Sequence, residues 1–371
     1  MRSKSPSLRG KVETRSASGG GRAHPERAGR RQPVGQVSAG KRARLRIGLT
    51  YDLCSDHAGL SEEDAAEFDS EVTIKALLKA LSGLGYEPVP IGNVKALTAR
   101  LAAGERWDGV FNFCEGLKGI SREAQVPALL EAFDIPYVFS DPLTMALTLD
   151  KAMCKRVVRD CGVPTADFAV IERLADIDKI DLPYPLFLKP VAEGSGKGVG
   201  TNNKVRNRKA MRATAAGLLK RFRQPVLVET FLSGREFTVG ITGTGADAKI
   251  LGVSEIVPLP GYRGDAYGFL NKKDWIGKLD IVAAPSADAK AAGDIALAAW
   301  VCLRCRDGGR IDIRYDANGK PQFIEVNPVA GLRPEYSDMC FIAAREGVSY
   351  QELIGKIMAS FEKRYPHLRG S

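Results

Sequence analysis

GGRIDIRYDANGKPQFIEVNP, residues 308–328, divides into two alternating runs on either side of an Asn-Gly pair, the pattern of a β-hairpin. Asn318-Gly319 suits the centre of a two-residue type I′ turn, where both positions need φ > 0. With those two as the loop, Ala317 faces Lys320, Asp312 faces Glu325 and Arg310 faces Asn327. Ile311–Val326 and Ile313–Ile324 then fill the opposite face, because side chains alternate along a strand. Directly opposed residues have Cβ atoms roughly 4.5–5.5 Å apart. Two carboxylates there repel by roughly 3 kcal/mol at an effective dielectric of about 20. Something must offset this. Arg310 and Arg314 could neutralise the acids on a solvated face, or the Asp, Glu and Asn oxygens could hold a divalent cation such as Mg²⁺. The hairpin alone leaves both readings open.

Composition narrows the classes. The chain has 371 residues, 44% of them apolar and 26% charged, ordinary values for a globular protein of two or three domains. No run of eighteen apolar residues occurs, so no membrane span is expected. The formal net charge of +10 is unevenly placed. Residues 1–44 carry 12 Lys/Arg against 2 Asp/Glu, which leaves 42 of each sign in residues 45–371. The basic excess therefore belongs to a tail rich in Arg, Ser, Gly and Pro, whose lack of large apolar residues predicts disorder. It has no apolar core of a secretory signal. A solvated extension is expected, with weak, nonspecific RNA or membrane contact as the alternative and no specific nucleic-acid partner.

Seven cysteines, an odd number scattered over a long chain, favour a reduced, cytoplasmic protein. Cys302 and Cys305 form a CxxC within a helical run and read as helix packing. Only three histidines occur, so chemistry built on a catalytic His is not expected.

Strands at 45–52, 87–91, WDGVFNFCEG (107–116) and PYVFSD alternate with helices, which predicts a parallel α/β domain over residues 45–146. Its ligand edge should lie at the strand C-termini, where TYDLCSD and FNFCEG emerge. No GxGxxG follows the first strand, so a dinucleotide is not expected. From 147 the pattern changes. LTLDKAMCKRVVRDCG is a helix, YPLFLKPVAEGSGKGVG a strand into a glycine-rich loop, and QPVLVETFLSGREFTVGIT a strand, turn and strand. A helix at 287–305 precedes the hairpin and another closes the chain. The subdomains expected are 147–230 and 231–365.

Individually the remaining motifs are weak. AEGSGKGVG is not a Walker A loop; its free amides and Lys197 suit a polyphosphate, but a flexible turn has the same composition. Lys189, ending PLFLK, is a snorkelling edge residue or a phosphate ligand. Lys151 could equally be a solvated first-turn residue, and Glu229 and Glu236 surface acids.

Taken in order, DK at 150–151, FLKP at 187–190, EGSGKG, VETFLSGREF, RID at 310–312 and EVN at 325–327 resemble the ATP-grasp superfamily. Within it, the pattern is most similar to D-alanine–D-alanine ligases, over roughly residues 45–365. The resemblance implies an ATP-grasp fold (α/β, with α+β C-terminal lobes) and an ATP-dependent carboxylate–amine ligase working through an acyl phosphate. D-Alanine used twice, for a peptidoglycan precursor of the cell wall, is the leading substrate pair. It also implies that Lys151 and Lys189 hold ATP phosphates beneath the loop around Ser195. Glu229 and the backbone near Phe231 and Leu232 would read adenine, and Glu236 the ribose. Asp312, Glu325 and Asn327 would ligate Mg²⁺ (or Mn²⁺). Lys272 would close over the γ-phosphate, and Arg310 with the Gly331 amide would stabilise the oxyanion of the tetrahedral intermediate.

The chain departs from the family on the amino-acid side. A longer segment, TYDLCSDHAGLSEEDAAEFD, replaces a short Gly-Gly-Thr-Ser type loop. Asp69, or nearby Glu71, stands where the family has the Glu that binds an ammonium. Glu115 replaces a His, and Lys273 and Tyr336 replace a Tyr and a Ser. A ligase for another amino acid or peptide, or a nucleotide-binding pseudoenzyme, are the alternatives; intact Arg310 and metal ligands argue against the latter. A homodimer is compatible with the sequence.

Overall fold

The computed structural model describes residues 44–371 apart from 57–58, 62, 64–67, 201, 261–278 and 371. The basic tail, except Arg44, and both Lys272 and Lys273 lie outside the described residues.

The alternating N-terminal pattern folds as expected. β1 (Arg46–Tyr51), β2 (Glu87–Gly92), β3 (Gly109–Phe113) and β4 (Tyr137–Val138) form a sheet in the order β2-β1-β3-β4. Its pairs are parallel. The expected subdomain that follows holds a second, antiparallel sheet of β5 (Phe168–Ile171), β6 (Leu186–Pro190), β7 (Lys204–Val205) and β8 (Val226–Thr230), ordered β5-β8-β6-β7. β9 (Glu236–Thr242), β10 (Lys249–Pro258), β11 (Leu279–Ala283), β12 (Gly308–Tyr315) and β13 (Pro321–Asn327) form the third, ordered β11-β10-β9-β12-β13.

Period-two alternation gives the second and third sheets one apolar and one polar face. Leu186, Leu188, Val226 and Val228 pack against Met211, Ala215 and Leu218 of helix Arg208–Phe222. Phe187, Lys189 and Glu229 point the other way, into a cleft. Ile311, Ile313, Val239 and Ile241 pack against Ala292, Ala296 and Trp300 of helix Ser286–Cys302, while Asp312, Arg314 and Glu325 face the cleft.

The hairpin reaches the expected carboxylate pairing by a different route. Asp316 Oδ1 accepts from the amides of Asn318 and Lys320 at 2.8 and 2.9 Å, an Asx turn. That turn widens the loop to three residues, closed by Asp316 N donating to Lys320 O at 2.9 Å, with Gly319 alone at positive φ. Ile313 therefore faces Phe323, not Ile324. A bulge between Asp312 and Ile313 then restores the register, so Asp312 faces Glu325 and Arg310 faces Asn327.

Two further expectations need correction. The helix read through LTLDKAMCKRVV is interrupted at Asp150 (ψ 95°), which ends Pro142–Leu149 and caps Lys151–Asp160 by accepting from Met153 N at 2.9 Å. Cys161 and Cys302, expected as free thiols, are joined in a disulfide with Cα atoms 6.4 Å apart. They lie 141 residues apart at two helix ends, so no local spacing announces the bridge; Cys305 alone keeps the packing role, fully buried. The closing helix Tyr350–Arg364 packs with β1. Leu353, Ile354, Ile357 and Phe361 share one apolar cluster with Ile47, Leu49 and Leu77.

A buried carboxylate fastens that helix to the sheets. Asp307, fully buried, accepts from Phe139 N at 2.8 Å, Ser360 Oγ at 2.8 Å and Arg364 Nε at 3.0 Å. Among the described residues, no helix is long and apolar enough to cross a membrane.

Candidate active site

Lys151, Lys189, Glu193, Gly196, Lys197, Glu229, Phe231, Leu232, Glu236, Asp312, Arg314 and Glu325 line one cleft, together with Phe187 and Ile324. Its empty volume is about 800 Å³. The cleft lies between the polar faces of the second and third sheets. Of the residues assigned to nucleotide, Lys151, Lys189, Glu229, Phe231, Leu232 and Glu236 line it, as do two of the three assigned to metal.

Each position follows from local structure. The Asp150 break starts a new helix at Lys151, and Lys151 Nζ donates to Glu193 O at 2.5 Å and pairs with Glu325 at 3.3 Å. Lys189 and Glu229 sit on neighbouring strands two positions out of register, since Phe187 faces Glu229. Lys189 Nζ reaches Glu229 Oε1 at 2.9 Å. Phe231 stacks near Phe187 with ring centroids 6.2 Å apart, and Lys204 and Arg314 lie over its ring at 4.0 and 5.2 Å. Arg314 also pairs with Glu236 at 3.3 Å.

The glycine-rich loop is pinned. Asn203 Nδ2 donates to Leu188 O and Gly198 O at 2.6 and 2.7 Å. Gly198 sits at φ +71°, where a Cβ would meet Pro190 at 2.7 Å and Phe222 at 2.8 Å. Ser195 takes φ 50°, a left-handed conformation that costs a non-glycine residue about 1–2 kcal/mol.

Asp312 accepts from Thr238 Oγ1 at 2.9 Å and pairs with Arg310 at 3.2 Å, while Glu325 has Lys151. Arg310 and Lys151 offset the repulsion; Arg314 serves Glu236 instead. Arg310 is also bonded to Asp338, at the start of helix Asp338–Arg345.

Several participants escaped the sequence reading. Lys155, four residues and one helical turn after Lys151, is fully buried and donates to Glu229 Oε2 at 2.8 Å. The i, i+4 spacing was its signal. Burial pushes the Glu229 carboxyl up, but Lys155 and Lys189 outweigh it and bring it to about 2. Burial lowers the Lys155 ammonium, with Glu229 opposing. For Lys189, burial is overcome by Glu229 and Glu325, and the net shift is upward. Arg122, nearly buried, donates to Ala192 O at 2.9 Å. Glu63, from the long N-terminal segment, accepts from Gly198 N at 2.9 Å and pairs with Arg221.

On the amino-acid side the expected residues part company. Asp69 is joined to Leu53 by a parallel bridge, and burial, opposed by a Thr73 hydrogen bond and assisted by Asp52, raises its carboxyl to about 8. Glu71 is exposed and paired with Lys75 at 2.6 Å, so it is not the inward-facing acid. Glu115 is half-buried. Tyr336 is 45% exposed beneath the Arg333 guanidinium at 4.5 Å. Gly331 is exposed, and a Cβ there would meet Ser337 Oγ at 2.8 Å.

Two facing antiparallel sheets clasping a lysine- and carboxylate-lined cleft, beside a parallel α/β sheet, define the ATP-grasp class. Residues 157–359 match the family described as "D-ala D-ala ligase C-terminus". The D-alanine–D-alanine ligase of Bordetella petrii is 33% identical over 77% of this chain and 85% of its own length. The chain belongs to the D-alanine–D-alanine ligase family. The fold is similar to that of the Bacillus anthracis D-alanine–D-alanine ligase complexed with ATP, at 21% identity, TM-score 0.66, covering 87% of this chain and 99% of that one. It is equally similar to the VanG D-Ala:D-Ser ligase of Enterococcus faecalis, at 19% identity and TM-score 0.67, covering 86% and 100%.

Proposed function

We propose that the chain joins two D-alanines at the expense of ATP. The observation that carries this reading is the convergence of Lys151, Lys189, Glu229, Glu236, Asp312 and Glu325 on one cleft in a member of this family. The aromatic wall of Phe187 and Phe231 suits a base, and the lysines at the other end suit its phosphates. Asp312, Glu325 and Asn327 offer a hard oxygen set suited to Mg²⁺. Asn327 Nδ2 is buried without a hydrogen-bond partner among the described residues, and a phosphate oxygen beside the metal would supply its acceptor. The residues present therefore fit a metal–nucleotide. When bound, the cation neutralises charge between phosphates.

The chemistry then follows. A carboxylate is a poor electrophile, so its oxygen first attacks the γ-phosphorus of ATP and ADP leaves. The amine of the second amino acid attacks the acyl phosphate carbon, and inorganic phosphate departs with the electron pair while the amine loses a proton. Arg310, held by Asp312 and Asp338, is oriented for the oxyanion, with the Gly331 amide as the second donor. Lys151 and Lys189 bind and orient the phosphates. Asp69 is the acid for the first ammonium. No step requires a histidine.

Glu115 and Asp69, both unlike the family pattern, support a second reading limited to substrate: a ligase accepting another amino acid in one position. Phosphate release from ATP and Mg²⁺, measured with D-alanine, L-alanine and a panel of D-amino acids, separates the two. Formation of D-alanyl-D-alanine, identified by mass, is the expected outcome. Release with other amino acids and none with D-alanine would sink the D-alanine assignment while leaving the ligase.

A further inference from the structure

Glu229 is oversubscribed. Both its oxygens are taken, Oε2 by Lys155 at 2.8 Å and Oε1 by Lys189 at 2.9 Å. The ATP reading asks the same carboxylate to accept the amine of the base, and asks Lys189 to bind phosphate. While Lys189 stays on Oε1, neither can happen. The two lysines are not equivalent. Lys155 is fully buried on helix Lys151–Asp160, its ammonium 5.4 Å from the Phe168 ring, and it does not line the cleft. Lys189, near the end of β6, lines the cleft, as do Lys151 and Glu325.

We propose that Glu229 is the centre of an ion-pair exchange, with Lys189 the moving partner and Lys155 the fixed one. Resting on the ATP reading, the exchange runs as follows. The phosphates draw Lys189 off Oε1, the exocyclic amine of adenine takes its place as donor, and Lys155 remains on Oε2. Without Lys155, departure of Lys189 would leave a buried carboxylate with no cation, which is strongly unfavourable. Lys155 is thus a positioning residue: it touches no substrate, yet it makes Lys189 available to the phosphates and Oε1 available to the base. Base selection and phosphate binding become one event. A nucleoside without phosphates cannot extract Lys189, and a nucleotide without the amine leaves Oε1 unfilled.

The test compares dissociation constants for ATP, ITP (a carbonyl in place of the amine) and adenosine, by titration calorimetry with Mg²⁺, on the unaltered protein, K189M and K155M. In K189M, Oε1 is open from the start. Adenosine should bind about fivefold tighter than to the unaltered protein while ATP binds at least about tenfold weaker. A lysine that served only the phosphates would leave adenosine unchanged, and that result, or weaker adenosine binding, overturns the exchange. In K155M, Lys189 is locked on Glu229. ATP should weaken by about tenfold and its preference over ITP shrink to within about threefold, with K155R restoring both. Equal weakening of ATP and ITP marks a merely structural role and overturns the proposal. Should K155M fold poorly, the adenosine result with K189M decides alone. Failure of the unaltered protein to bind ATP would instead overturn the ligase reading, and the exchange with it.

Discussion

The two halves of the site handle charge in opposite ways. On the nucleotide side, Glu229 holds two lysines, Glu325 holds Lys151, Asp312 holds Arg310 and Glu236 holds Arg314. On the side proposed for amino acids, Asp69 is half-buried near Asp52 and Thr73, and desolvation raises its carboxyl to about 8. One half stores its charges as ion pairs; the other stores a carboxyl as its neutral acid. On the proposed assignment, a ligand of the first half would exchange ion-pair partners, whereas a ligand of the second would displace a proton. On the same assignment, the nucleotide half offers preformed ion pairs and amino-acid binding depends on pH.

The most severe break in the comparison is at the proposed metal ligands. Glu325→Gln removes a charge without removing volume, and it should lower Mg²⁺-dependent phosphate release at least about a hundredfold with the fold intact. Unchanged turnover at limiting Mg²⁺ would refute the metal assignment.

Asp69 sharpens the other half. An ammonium favours the ionised carboxylate, so below about pH 8 amino-acid affinity should rise with pH, by up to about tenfold per unit. KM for the first amino acid measured from pH 6 to 8 shows it, and Asp69→Asn should flatten the profile. Stability follows the opposite course. The unfolded carboxyl ionises near its ordinary pKa of about 3.9, the folded one at about 8. Between those values the unfolded state binds fewer protons, and this group's contribution declines as pH rises. Glu71→Gln is the control: exposed and paired with Lys75, it should alter KM less than about twofold.

Glu115→Ala should shift preference among acceptor amino acids several-fold, on the order of 1 kcal/mol, with ATP affinity unchanged; a loss confined to ATP would place Glu115 on the wrong side of the comparison. Smallest of all, removing residues 1–43 should leave melting temperature and rate nearly unchanged, because their composition cannot build a core. A large loss in either assay would overturn that reading.

The sequence made the nucleotide half legible because its residues sit on regular strands, where period-two alternation assigns a face. Alternation puts Lys189 and Glu229 on one face of their sheet and Asp312 and Glu325 on one face of theirs; the ATP-grasp resemblance is what gave those faces a role. The hairpin register came out right at Asp312 for a partly wrong reason. Asp316 builds a longer turn than Asn-Gly implies, and a bulge cancels the slip. Lys155 was missed because a lysine on a helix reads as solvated unless its partner, 74 residues away, is known. Asp338 and Glu63 act across separations of 28 and 135 residues, and no local pattern carries such contacts. The amino-acid half was least legible because it rests on irregular segments, where Glu71 and Asp69 differ by burial and not by spacing.

The helix Tyr350–Arg364 has a consequence for the order in which the molecule can be made. It supplies Leu353, Ile354, Ile357 and Phe361 to a cluster whose other members include Ile47 and Leu49 of the first strand, and Ser360 and Arg364 to the buried Asp307. A chain emerging from the ribosome makes the first sheet's apolar face early, with Ile74, Leu77 and Leu81 of helix Glu71–Gly83 against it, and the rest of its cover last. Domains synthesised first generally fold first, but this lobe must wait for nearly the whole protein. Its inner face stays only partly covered through most of translation, and a chain stopped just short of residue 350 would leave the first lobe's core incomplete.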